Sequence, residues 1–108
     1  MSLTTEQTIE KIVKALDSKK AIDIKAIKIG ELTSIGDYFI IASGSSTSQT
    51  KALSDEVEEV LSKLGVEPKR IEGYQSAQWI LLDYYDVIVH IFQKDSREFY
   101  NIERLYNI

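Results

Sequence analysis

The sequence predicts an α/β fold: a mixed (α+β) sheet of about five strands with three main helices packed on it. Three observations carry that prediction. Ile9, Ile12, Val13 and Leu16, and later Leu53, Val57, Val60, Leu61 and Leu64, recur at the 3.6-residue spacing of an amphipathic helix. Asp37 to Ser43, D-Y-F-I-I-A-S, is a nearly continuous apolar run, as expected of a strand buried on both faces. Ala77 to Gln93, A-Q-W-I-L-L-D-Y-Y-D-V-I-V-H-I-F-Q, alternates on either side of a short break and reads as a hairpin. Helices interleaved with strands of this kind bury their stripes against a sheet.

The elements follow in order. Thr4 or Thr5 can cap the first helix, and Gln7 completes a capping box if Thr4 is the cap. That helix is expected to run to about Ser18. Ala21 to Ile29 alternates, with Lys25 and Lys28 among its isoleucines, which suits an edge strand with one solvated face. Gly30 to Gly36 is a connection. After the Asp37–Ser43 strand, G-S-S-T-S-Q offers several hydroxyl caps for the second helix, which Gly65 is placed to end. Lys69 to Gly73 is a short strand or loop. The hairpin follows, and a last helix from about Ser96 to Leu105 places Phe99, Ile102 and Leu105, with Tyr106, on one side.

At 108 residues the chain has the size of a single domain, residues 1–108, able to hold one core. There is no apolar run near the ~18 residues needed to span a bilayer, and no secretory leader is apparent. The absence of cysteine excludes disulfides, thiolate metal sites and cysteine nucleophiles, and fits a reducing compartment. The net charge of −4 lacks the basic patch of a duplex nucleic-acid binder and suits a basic or neutral protein partner.

A two-residue turn at Tyr84 and Tyr85 sets Asp83 opposite Asp86, Leu82 opposite Val87 and Trp79 opposite His90. One face of the hairpin is then wholly aliphatic: Ile80, Leu82, Val87, Val89 and Ile91. The other carries Trp79, Leu81, Asp83, Asp86, Ile88 and His90. Two readings of this second face stand. It lies under a helix, or it is an open protein-binding patch with Trp79 at its centre and an acidic rim of Asp83, Asp86 and Glu72.

Catalytic readings are weaker. The lone His90 lies about four positions from Asp86 along one face, roughly 13 Å, too far to share a metal ion. A strand ending at Gly44-Ser45 and opening a helix is an arrangement that nucleotidyltransferases use for phosphate. Two-metal transfer, however, takes a rigid carboxylate pair, and the chain has no Asp-x-Asp, only Asp83-x-x-Asp86 across a turn. Such aspartates commonly bond backbone amides at turn corners. Ser43, Ser45, Ser46 and Ser48 lack an aligned base, and helix capping accounts for them.

Taken jointly and in order, several segments resemble the Iojap / RsfS family of ribosomal silencing factors. They are D-Y-F-I-I-A-S-G-S-S from Asp37, Q-x-x-A-L-S-D from Gln49, E-G at Glu72, the hairpin from Ala77, and the tail R-E-F-Y-N-I-E-R-L-Y. The resemblance spans about Ile9 to Leu105. It implies a nucleotidyltransferase-like fold without the catalytic acids, and no enzyme activity, cofactor or metal. It also implies a cytoplasmic protein that binds large-subunit ribosomal protein fourteen and obstructs joining with the small subunit, lowering translation when nutrients are scarce. A membrane or a specific nucleic-acid sequence is not an implied partner; a second copy of the chain is a further possibility, and a metal-dependent nucleotidyltransferase is the alternative function. On this reading Trp79 and Leu81 form the apolar centre, with Tyr84 beside the turn. Asp83, Asp86 and Glu72 meet cationic side chains, and His90 supports Trp79. Asp37 and Tyr38 are a second contact or a turn anchor. The sequence departs from the family in two places. The family's turn is often D-x-G-D, where Tyr85 stands here, so the register can shift; and its tail often ends in L-W, where Tyr106 stands here.

Overall fold

The computed structural model describes residues 3–30 and 36–108. Their order is α1 (Thr5–Ser18), β1 (Ile22–Lys28), β2 (Tyr38–Gly44), α2 (Thr47–Lys63), β3 (Arg70–Glu72), β4 (Trp79–Tyr84), β5 (Val87–Gln93), α3 (Lys94–Tyr100) and α4 (Ile102–Leu105). The strands form one mixed sheet in the order β1-β2-β5-β4-β3. Only β2 and β5 pair in parallel; the other neighbours are antiparallel. The lysine-bearing β1 is an edge, as expected, and β2 is paired on both sides. The Gly30–Gly36 connection falls largely on residues 31–35, outside the described residues.

Both long helices begin where the sequence placed their caps. The Thr4 hydroxyl accepts from the Gln7 N–H and the Gln7 side chain accepts from the Thr4 N–H, a complete capping box. Ser46 caps α2 through the Gln49 N–H, and Gly65 at φ 80° turns the chain out of it. Helices α1 and α2 cover one face of the sheet. Ile12, Leu16, Leu53, Val57 and Leu61 pack there on Ile40, Ala42, Ile80, Leu82, Val89 and Ile91. This layer is the larger core.

Two expectations need correction. The hairpin turn is Tyr85-Asp86, one residue later than expected, so Tyr84 pairs with Val87, Leu82 with Val89 and Trp79 with Phe92. Asp83 lies opposite Ile88 rather than Asp86. Every strand partner moves by two residues, so each side chain keeps its face. The slide carries Tyr84 into the helix-side core, where it is 5% exposed, and sets Tyr85 at φ 72°. Burial of the Tyr84 ring favours this register, while its hydroxyl finds no hydrogen-bond partner among the described residues and Tyr85 takes a left-handed backbone conformation.

The second correction is at the C-terminus, where the single helix expected from Ser96 to Leu105 is broken. Asn101 takes φ 45°, ψ 56°, ending α3 and capping α4. Ile102 is buried, but Phe99 and Leu105 are 81% and 76% exposed, so the three do not share a packed side.

Candidate functional site

The second face of the sheet holds most of the expected site residues, and part of it is covered. Across the strands it presents Ile27 on β1, Phe39, Ile41 and Ser43 on β2, Ile88, His90 and Phe92 on β5, Trp79, Leu81 and Asp83 on β4, and Arg70 and Glu72 on β3. Among the described residues, α3 and α4 are the elements that pack here. Ile102 and Tyr106 seal the β1–β2–β5 side together with Ile29, Phe39, Ile41, Ile88 and Phe92. Tyr106, where the family often has Trp, meets the Phe39 ring edge-on at 5.2 Å. Toward β4 and β3 the face opens, and Trp79 and Leu81 are only half-buried.

Arg97 fastens the covering segment. Its buried guanidinium donates to the Asp23 carbonyl (2.7 Å), Ser43 Oγ (3.0 Å) and Glu103 (3.0 Å). Lys25 also reaches Glu103, at 2.9 Å. Both cations hold the Glu103 carboxyl below its ordinary pKa, Arg97 the more strongly. One arginine thus joins α3 and α4 to β1 and β2.

Trp79 sits at the boundary between cover and opening. Its ring stacks on Phe92 and meets Tyr100, each at 5.0 Å between centroids. Its Nε1–H donates to Nδ1 of His90 at 3.1 Å, diagonally across the strands. His90 is buried, and burial pushes its pKa down to about 4, so the ring is neutral near pH 7. Because Nδ1 accepts, the ring proton is assigned to Nε2. Below the Trp, Gly73 at φ 78° passes so close to the Trp79 carbonyl oxygen that any Cβ there would collide with it. The Glu72-Gly73 pair therefore has a physical basis: only glycine lets β3 leave the sheet against the backbone of Trp79.

The remaining site residues divide by exposure. Glu72 and Asp86 are exposed. Asp83 is buried, and its carboxylate accepts from the Tyr85 N–H at 2.9 Å and lies 3.6 Å from Arg70. It holds the turn, the role turn-corner aspartates commonly take. Tyr84 is not beside the turn on the open face; it lies in the opposite core. The N–H groups of Asp37 and Tyr38 both donate to the Asp86 carbonyl, at 2.8 and 3.0 Å, so their backbone anchors the turn.

Beside the start of α2, the Gln49 side chain forms a clamp. Gln49 Oε1 accepts from the Ser45 N–H (2.6 Å) and hydroxyl (2.8 Å), while its Nε2 donates to the Lys19 and Lys20 carbonyls. The amide side chain holds both Ser45 donors and ties the chain after α1 to the start of α2. Sequence reading missed this clamp, and also Arg70, Arg97 and Tyr100, because each acts through partners distant in the chain.

Comparison with known proteins agrees with this architecture. The family model described as "Ribosomal silencing factor during starvation" (RsfS) matches residues 2–108. A ribosomal silencing factor of Halalkalibacterium halodurans is 38% identical over 104 residues, covering 96% of this chain and 89% of that protein. One from Bacillus subtilis is 39% identical over 92 residues, 85% of this chain and 78% of that protein. A mouse protein named for mitochondrial assembly of the ribosomal large subunit is 27% identical, covering 93% of this chain and 45% of its own length. A crystal structure of a Chromobacterium violaceum protein superposes with a TM-score of 0.93 at 33% identity, over 97% of this chain and 88% of that one.

Proposed function

The chain belongs to the ribosomal silencing factor family, and on that footing we propose that it binds the large ribosomal subunit through ribosomal protein fourteen. Bound there, in the cytoplasm, it blocks joining with the small subunit by steric obstruction and so represses translation under nutrient limitation. The mouse relative's name, which refers to assembly of the ribosomal large subunit, supports an association with that subunit. Nothing in this mechanism calls for a reaction, and the sequence lacks the Asp-x-Asp pair that two-metal nucleotidyl transfer uses.

The observation that carries the reading is the open β4–β3 half of the second face, with half-buried Trp79 at its border, fixed by His90. A pre-oriented aromatic side chain loses little entropy on binding. Trp79 and Leu81 supply the apolar contact; exposed Asp86 and Glu72 face cations of the partner. Asp83 and His90 act from beneath, holding the turn and the indole. Tyr84 contributes through the core that shapes the hairpin. Rim charges set the association rate and its salt dependence, while the indole sets residence time.

The test is co-sedimentation with isolated large subunits, wild type beside Trp79→Ala, with circular dichroism to establish that the variant is folded. The expected result is loss of at least ~2 kcal/mol of binding in the variant. A wild-type protein that does not co-sediment would overturn the reading.

A further inference from the structure

We propose that the cleft between the start of α1, the segment after α2 and the hairpin turn binds an alkylammonium cation, with Tyr84 and Glu67 as its recognition residues. The cleft lies on the helix-covered side of the sheet, away from Trp79, and its ligand is argued without the ribosome reading. It measures about 340 Å³, and Thr8, Val66, Glu67, Tyr84, Tyr85 and Asp86 are among its walls. That volume falls at the low end of the ~300–1,000 Å³ of small-ligand sites.

The Tyr84 hydroxyl sets this cleft apart from an ordinary acidic surface. Tyr84 is 5% exposed, and its hydroxyl is buried with no hydrogen-bond partner among the described residues. Buried polar groups are seldom left in that state without a reason. Burial, and then the carboxylates of Glu58 and Glu67, push its pKa up, so it stays protonated at neutral pH. Glu67 acts on the hydroxyl through space and also walls the cleft, which sets the hydroxyl toward the Glu67 side.

The walls select the charge of the ligand. Glu67 and Asp86 are exposed and stand in no ion pair among the described residues, and no lysine or arginine lines the cleft. Thr8 Oγ1 donates its proton to the Thr4 carbonyl at 2.9 Å, so toward the cleft it can only accept. Carboxylates, a committed threonine and a phenol oxygen call for a donor. A primary ammonium has three N–H donors and no acceptor. An anion would face both carboxylates, against which the positive end of α1 offers only about half an elementary charge. Val66 and the Tyr85 ring flank an alkyl stem. Exposed ion pairs alone contribute little, so the buried hydroxyl supplies the selectivity. Such a cation is carried by a free aliphatic diamine or by a lysine side chain of another protein.

The experiment titrates the full chain at neutral pH with 1,4-diaminobutane, with Nα-acetyl-lysine methylamide and with sodium chloride of matched ionic strength. Amide chemical shifts and thermal unfolding are followed for wild type, Tyr84→Phe and Glu67→Gln. Saturable shifts centred on Thr8, Val66, Tyr84 and Asp86 are expected with the amines and not with the salt. Each variant is expected to weaken amine binding by at least ~fivefold, the effect of losing one hydrogen bond to a charged group. Tyr84→Phe without amine is expected to unfold no earlier than wild type, because it removes an unpaired hydroxyl. Tighter binding of the diamine assigns the site to a free diamine; tighter binding of the lysine derivative assigns it to a protein side chain. Shifts equal to those in salt, shifts centred on other acidic residues, or a Tyr84→Phe variant that binds amine like wild type would overturn the proposal. Early unfolding of Tyr84→Phe without amine would also overturn it, since the hydroxyl would then be paired in the free protein.

Discussion

The indole Nε1–H of Trp79 donates to His90 Nδ1 at 3.1 Å, and this bond needs a neutral imidazole. Protonation would leave two N–H donors facing each other in a buried site. Burial lowers the His90 pKa from 6.5 to about 4. Between those values the unfolded chain binds a proton that the folded chain refuses, so stability rises with pH across that window. Above pH ~6.5 the contribution is complete; it is lost as pH falls toward 4, and amounts to at most ~3 kcal/mol. Urea unfolding at pH 7.5 and pH 5 is expected to show a clear fall for wild type and a shallower one for His90→Gln. An equal slope in both would place the pH sensitivity elsewhere.

Tyr85 holds φ 72° with its side chain largely in solvent. Glycine relieves left-handed strain of ~1–2 kcal/mol but adds ~0.5–1 kcal/mol of unfolded-state freedom. Tyr85→Gly is therefore expected to stabilise the protein by about 0.5–1 kcal/mol, read as a rise in the denaturant midpoint at unchanged m-value. A lower midpoint would mean that the tyrosine ring makes contacts worth more than the strain.

Arg97 joins the covering helices to β1 and β2 through bonds to Asp23, Ser43 and Glu103. Arg97→Met keeps much of the volume but leaves a buried hydroxyl, a carbonyl and part of a carboxylate without their donor. The expected cost is ~2–4 kcal/mol. Amide exchange is expected to accelerate from residue 94 onward while α1 and α2 stay protected. Uniform acceleration throughout the chain would show that the C-terminal segment does not open as a separate unit.

Local periodicity made much of this architecture legible. The Thr4–Gln7 box and the Ser46 cap follow from hydrogen-bonding groups a few residues apart. The two faces of the hairpin were readable even though the turn was placed one residue early, because side chains alternate with period two and a two-residue shift of partners preserves the face. The turn itself was not legible: its position depends on Tyr84 finding a pocket against Val87 and the helices, a long-range packing term.

The sequence by itself thus determined the order of elements, the aliphatic face of the hairpin, the placing of Trp79 and His90 on its other face, and the marks of the silencing-factor family. Tertiary structure alone decided how much of the second face is covered, that Tyr84 lies inside, that Gln49 links Ser45 to the Lys19 and Lys20 carbonyls, and that Asn101 breaks the last helix. The physical reason is one of range. Caps and alternation are set by neighbours in the chain, whereas cover depends on Arg97 reaching Asp23 and Ser43, residues 74 and 54 positions away.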